Sequence, residues 1–322
     1  VLRLVARRLL ASVPLVLGVL TLTFALVECA PGKPTDYLLG DHLVPPATRA
    51  RIEAAYGFDR APAARYLAWV GGALRGDLGW SLSKSRPVTQ VLATALPPTI
   101  GLAAIALALQ LALGIGLGAL HVARPNGLLD HALGIGGLTL ASTPAFWLGL
   151  MAILVFAVAL PIFPPSSAHS VGAERWSAPL RAADTIWHAT LPALVLGLGS
   201  AAVVARFVRA GLLASLGDGF VRAARARGAS PRRVIFVHAL SAAAGPVITL
   251  AGLQLPLLVS GALVVEVVFG WPGMGRVTYE AVMAQDLPVA LAAVLIATGL
   301  VVLGNLLADV ALAAFDPRVR RT

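Results

Sequence analysis

Six long apolar runs leave this chain few ways to fold. They lie at about residues 9–30, 99–123, 133–162, 190–209, 246–269 and 289–315. A helix needs roughly 20 apolar residues to cross about 30 Å of hydrocarbon, and each run is near or beyond that length. Composition agrees: 58% of the 322 residues are apolar and only 12% are charged, against about 25% charged in a soluble domain. The bilayer is therefore the solvent, and the expected fold is an all-α integral membrane protein with six transmembrane helices. The run at 190–209 is the weakest, because Arg206 and Arg209 limit its apolar length.

Arginine placement orients the spans. Arg3, Arg7 and Arg8 precede the first run, in the segment 1–8. That pattern fits a signal peptide, but the run is longer than the usual apolar core and "ECAPGKP" lacks a small-x-small site, so a retained signal-anchor is expected. With the N-terminus inside, Arg124, the arginines of 206–245 and those of the tail 316–322 all fall on the cytoplasmic side. The short outer segments 163–189 and 270–288 hold only Arg175, Arg181 and Arg276. This is the positive-inside pattern, and an even number of spans returns the C-terminus to the cytoplasm. The net charge of +10 then reads as attraction to anionic lipid, not to nucleic acid.

The long outer segment 31–98 is too apolar to be a plain linker. Tyr56, Phe58, Tyr66, Leu67, Trp69, Leu74 and Leu78 recur at helix-like spacing. Amphipathic helices on the outer membrane face are expected, either covering the span tips or receiving a partner.

Few residues suggest chemistry. Cys29 is the only cysteine, which rules out an internal disulfide and cysteine-based metal sites. His42, His121, His131, His169, His188 and His238 form no H-x-x-x-H pair, and no Walker-type phosphate loop occurs. No metal and no bound cofactor are expected. "GIGLG", Gly114 to Gly118, lies inside a span and reads as close helix packing. Glu28, Glu266 and Asp309 sit near span ends. They read either as partners for freed backbone and interface water or as lining of a substrate path.

One cytoplasmic stretch has more design than charge alone requires. In "GFVRAARARGASPRRVIFVHAL", Asp218 is placed to cap a helix starting near Phe220, and alanines favour its continuation. Gly228 is placed to end that helix, after which Ser230 caps and Pro231 opens another. The residues alone admit two readings: a solvated basic loop, or a helix that docks into a partner's groove. A second pair of readings attaches to "FGWPGMGR". Phe269, Trp271, Pro272, Gly273 and Gly275 form either an interfacial aromatic anchor or a fixed turn near a pathway mouth. Ser142, Thr143, Pro144 and Phe146 predict a proline kink in the third span, with a pathway role as the alternative to a structural one.

The basic stretch resembles the EAA loop of ABC-importer permeases, whose family form is Glu-Ala-Ala, three residues, then Gly. Arg222, Ala223, Ala224 and Gly228 stand at those places, with arginine for glutamate, and Leu240-Ser241 stands where the general pattern has Leu-Pro. Both departures match the oligopeptide/dipeptide/nickel branch. "YGFDRAPAARYLAWVGGALRGDLGWSLSKSRPV", "STPAFWLGLMAILVFAV", "FGWPGMGRVTYEAVMAQDLPV" and "FDPRVR" resemble that branch in the same order, over roughly Arg8 to Arg321. The resemblance is to its B-type subunit.

That resemblance implies the type I importer permease fold, N-in and C-in, in a bacterial or archaeal cytoplasmic (inner) membrane. It implies half of a channel shared with a C-type permease, two cytoplasmic ABC ATPases that hold the ATP and Mg, and an extracytoplasmic solute-binding protein. The loop 210–245 would couple to the ATPases through Asp218, Phe220, Arg222, Ala223, Ala224, Arg227, Gly228, Ser230 and Pro231. Pro144, Phe146, Glu266, Trp271, Pro272, Gly273 and Gly275 are the candidates for pathway or gate. Peptides are the implied cargo, with nickel or another small solute as the alternative, and the chain itself is expected to be no enzyme. A secondary transporter would instead show an internal repeat and midplane coupling residues, and neither is evident.

Overall fold

The computed structural model describes residues 2–29, 59–123, 126–230, 233–240, 247, 251, 254 and 262–315. Its first helix, α1 (Leu2–Glu28), runs from the arginine-rich start through the first apolar run. Leu20 and Phe24 bury against Leu291 of the final helix. Arg8 Nε pairs with Asp309 Oδ2 at 3.0 Å, whereas Glu28, at the far end of α1, pairs with Arg65. The start of α1 and the end of the chain's last helix therefore share one side of the bundle.

The segment 31–98 supplies helix α2 (Pro62–Ala73), opened by proline at its first position. Tyr66 stacks on Phe24 with ring centroids 5.2 Å apart, and its hydroxyl meets Thr21 Oγ1 at 2.8 Å. Tyr66 and Trp69 thus lean on the first span, while Leu67 and Leu74 stay exposed. Tyr56 and Phe58 lie outside the described residues. A short hairpin follows, β1 (Trp80–Ser81) antiparallel to β2 (Arg86–Pro87), with Trp80 opposite Pro87.

Helix α3 (Val88–Ala123) starts well before the expected span at 99. Hydropathy marks the lipid-facing length only, and the helix gains about three further turns outside it. Val88, Val91, Leu92 and Ala95 pack there against Ala281, Val289 and Ala292. The third apolar run is not one helix. It divides into α4 (Leu128–Ser142) and α5 (Ala145–Ile153), the latter extended by a π-helical turn at Leu154–Ala159. The two arms bend by 104°. Pro144 disfavours helical backbone at the residue before it, and Thr143 is extended at φ −81, ψ 130.

Helix α6 (Ala178–Leu216) is 39 residues long and passes straight through Arg206 and Arg209, where the sequence shortened the span. Its contact with α3 is the spine of the fold. A Cβ on Gly114 would lie 2.5 Å from Val204, and one on Gly118 would lie 2.6 Å from Val208. The middle glycine of "GIGLG", Gly116, faces open space. The packing motif is thus Gly114 and Gly118 alone, one helical repeat apart, letting the two backbones approach.

After α6 come the short helix α7 (Gly219–Ala226), a π-helical turn at Val234–Ala239, helical residues 262–268, helix α8 (Met274–Met283) and the last span α9 (Leu287–Phe315). Four described helices are long and apolar enough to cross a membrane, and the bent α4–α5 pair makes five if counted as one span. The run at 246–269 lies largely outside the described residues.

Candidate functional site

A buried acid organises the turn between helical residues 262–268 and α8. Glu266 is fully buried. Thr99 Oγ1 donates to its Oε1 at 2.6 Å, and the Arg276 N–H donates to its Oε2 at 3.1 Å. Thr99 Oγ1 in turn accepts the Met274 N–H at 2.7 Å. The carboxyl therefore ties α3 to the start of α8. It lies against the backbone of Gly273 and Gly275: a Cβ on Gly273 would overlap Oε1, and one on Gly275 would overlap Leu263 Cα.

Trp271 is buried at 2% exposure, and its Nε1 donates to the Pro98 carbonyl at 3.0 Å. An interfacial anchor needs its ring at the lipid headgroups, so that reading of Trp271 gives way to an internal brace. Phe269 packs with Leu191, Val195 and Val265. Pro272 remains exposed. The structure thus gathers Glu266, Phe269, Trp271, Gly273 and Gly275 into one rigid turn.

The same turn is clasped from outside. Arg276 Nη1 donates to the Gly270 carbonyl and its Nε to Glu280 Oε1, both at 2.8 Å. Lys84 Nζ reaches Glu280 Oε2 at 2.6 Å. Burial alone would raise the Glu280 carboxyl, but Lys84 and Arg276 hold it below the ordinary glutamate range. Asp286 Oδ2 accepts from Ser81 Oγ, Ser83 N–H and Ser83 Oγ at 2.7, 2.9 and 2.8 Å. Pro144 and Phe146 lie instead on the exposed α4–α5 bend. The second arm of that bend leans on the turn, where a Cβ on Gly149 would lie 3.3 Å from the Phe269 ring.

Beyond the end of α6, α7 closes as its sequence requires. Gly228 adopts φ +82. Its N–H bonds to the Arg225 carbonyl at 2.9 Å, and the Ala229 N–H bonds to the Ala224 carbonyl at 3.1 Å. This is the paired Schellman ending, which satisfies two carbonyls that a helix leaves open. Asp218 occupies the N-cap place with extended backbone, but its side chain makes no capping bond. Ser230 Oγ accepts the Arg233 N–H only weakly, at 3.4 Å, and Pro231 lies outside the described residues.

Helix α7 is strongly two-faced. Val221 and Ala224 are buried against the chain itself, at 0% and 1% exposure. Phe220, Arg222, Ala223 and Arg227 are exposed. The two alanines that the resemblance places in the coupling loop therefore point apart, and Phe220 with Ala223 and Arg227 makes the outward stripe.

Sequence reading passed over Asp130. It sits in the first turn of α4, where it accepts the Asn126 N–H at 2.9 Å. Arg209 of α6 meets it with both Nε and Nη2, at 3.0 and 2.7 Å, and His121 Nδ1 of α3 stands 2.5 Å away. The one local signal is an acid in a helical first turn just after Asn126-Gly127. Nothing local names its partner 79 positions on. Among the described residues, no group of three or more His, Cys, Asp or Glu is arranged to hold a metal ion.

Comparison with known proteins is consistent across the chain. The family model described as "Binding-protein-dependent transport system inner membrane component" matches residues 110–321. The oligopeptide transport system permease protein AppB of Bacillus subtilis is 35% identical over 316 residues, covering 98% of each chain. The dipeptide transport system permease protein DppB of Escherichia coli K12 is 34% identical over 336 aligned positions, covering 99% of each. Among solved structures, an inward-facing form of the methionine ABC transporter MetNI matches with TM-score 0.54 at 18% identity, over 71% of this chain and 97% of that one. At that identity the likeness concerns the fold.

Proposed function

Because the chain belongs to the binding-protein-dependent transport system inner membrane component family, we propose that it forms half of a heterodimeric peptide channel driven through α7. It is a permease subunit of an ABC importer in the bacterial inner membrane, and ATP hydrolysis is not its own task. Its family implies ATPase and solute-binding partners. On our reading a similar C-type permease supplies the other half of the path, and ATP and Mg reside on two cytoplasmic ATPases. Di- or oligopeptides are the cargo, in keeping with the relatives' names. Six spans with both termini inside are supported by the Arg8–Asp309 pair and by the apolar run at 246–269.

The observation that carries this reading is the exposed stripe of α7 at the foot of an unbroken α6. At 1.5 Å per residue, the 39 residues of α6 span roughly 58 Å. The foot of this helix leads into α7. Its outer half packs Ala189 and Ala193 against Trp271, and Leu191 and Val195 against Phe269. One continuous helix, with Pro192 inside it, therefore links the docking stripe to the outer turn. An ATPase pair that closes on ATP would tilt it and alternate the access of the path.

The test uses single thiols in a Cys29→Ser background. Ala223→Cys is expected to crosslink to the ATPase in the assembled complex, while Ala224→Cys, facing inward, stays unreactive. If the thiol introduced by Ala223→Cys remains free in the assembled complex, docking is rejected. Cargo is read separately, by mass spectrometry of the ligand on the co-purified solute-binding protein. A peptide is expected there, and a nickel chelate would reassign the substrate.

A further inference from the structure

The Asp130 cluster has a geometry that the docking stripe does not account for. Arg209 meets the carboxylate at two points, and such planar pairs tolerate one arrangement only. The Asp130 and His121 side chains are 8% and 6% exposed. Separating a buried carboxylate from its cation leaves an uncompensated charge, so the partners move together. The three groups belong to three different helices, α4, α6 and α3. Arg209 lies about two turns before α6 ends, close above the chain's entry into α7. The Val204–Gly114 and Val208–Gly118 contacts lock α6 to α3 in the same region, and α4 meets α6 farther along, where a Cβ on Gly137 would lie 3.0 Å from Ala202; at the start of α4 the tie to α6 is the Asp130–Arg209 pair.

We infer that Asp130 is a positioning residue that latches α4 to the foot of α6, so that displacement of α7 carries α3, α4 and α6 as one body. Without the latch, α6 still moves, but the first turns of α4 are no longer held to its foot, and the α4–α5 elbow follows only through its apolar contacts with α6. ATP is then hydrolysed with less substrate moved. The inference rests on the docking reading of α7.

The experiment uses the full importer with its binding protein in liposomes and measures substrate moved per ATP hydrolysed. Asp130→Asn and Arg209→Gln should each lower that ratio roughly tenfold, within the range usual for coupled sites, while the Ala223→Cys crosslink persists. The double variant should do no worse than the poorer single one, because a neutral pair leaves no orphaned charge. An unchanged ratio in either single variant overturns the latch, as does a loss that only tracks the amount of assembled complex. If Asp130→Asn fails to assemble, Arg209→Lys decides, since it keeps the charge but not the two-point contact. Transport per ATP at the unsubstituted level in that variant also overturns it. Absence of the crosslink in the otherwise unsubstituted chain removes the docking reading and the latch together. A normal ratio with the crosslink present removes the latch alone.

Discussion

Gly273→Ala is expected to destabilise the folded permease by ~3 kcal/mol and to abolish most transport, although it adds one methyl group. The new Cβ would fall within 2.5 Å of both carboxylate oxygens of Glu266. Overpacking typically costs ~1–3 kcal/mol. Displacing the carboxyl from its buried donors adds the cost of leaving them unmet, about 1–3 kcal/mol each. Backbone strain has no part in this, since Gly273 is extended at φ −100, ψ 179, a conformation any residue adopts. The effect should therefore depend on what stands at residue 266. Glu266→Asp withdraws the carboxyl by one methylene and should recover part of the loss in the double variant, a coupling expected of neighbours in contact. Survival of the detergent-solubilised protein after a heat challenge, read by size exclusion, measures the first effect, and vesicle uptake measures the second. Wild-type survival of Gly273→Ala would show that the Glu266 pocket is looser than described.

Gly228→Val is expected to uncouple transport for the opposite reason. Nothing lies within 4 Å of a Cβ at that position, so crowding is absent, but φ is +82. A β-branched side chain there strains the backbone by about 1–3 kcal/mol. Relieving that strain opens the Schellman ending and turns α7 away from the ATPase seat proposed for it. A seat lost by that amount lowers coupled transport by roughly ten- to a hundredfold. The order of variants tests the cause. Asparagine tolerates left-handed backbone better than other residues with side chains, so Gly228→Asn should transport more than Gly228→Ala, and Gly228→Val least. If alanine, asparagine and valine behave alike in uptake assays, the conformation of Gly228 is not what holds α7.

These two glycines mark where the sequence was legible and where it was not. Gly228 was readable because its role is local: alanines before it favour a helix, and only glycine closes that helix cheaply in left-handed backbone. Gly273 could be placed in a turn, but its need for bare backbone arises from Glu266 and Thr99, and Thr99 is 167 positions from Glu266. Trp271 failed as an interfacial anchor for the same reason, since its acceptor, the Pro98 carbonyl, belongs to another helix. The third apolar run showed its proline. The 104° between its arms goes with packing that no local window contains: Leu148 and Ile153 of the second arm lie against Leu191, Val195 and Phe269.

What the sequence determined by itself was every property set within a few residues of chain. The apolar runs dictate helices because lipid offers no partner to an open backbone. Pro144 interrupts one of them, and Gly228 ends the short helix α7. Tertiary structure alone decided which side chains meet across the bundle. It sent Ala224 inward and Ala223 outward on one short helix. It carried α6 beyond the apolar length the hydropathy marked, and it gave Asp130 its arginine. A charge or a glycine records what its position tolerates. The partner it answers to is fixed only when distant segments pack, because contact energies between helices depend on geometry that no local window contains.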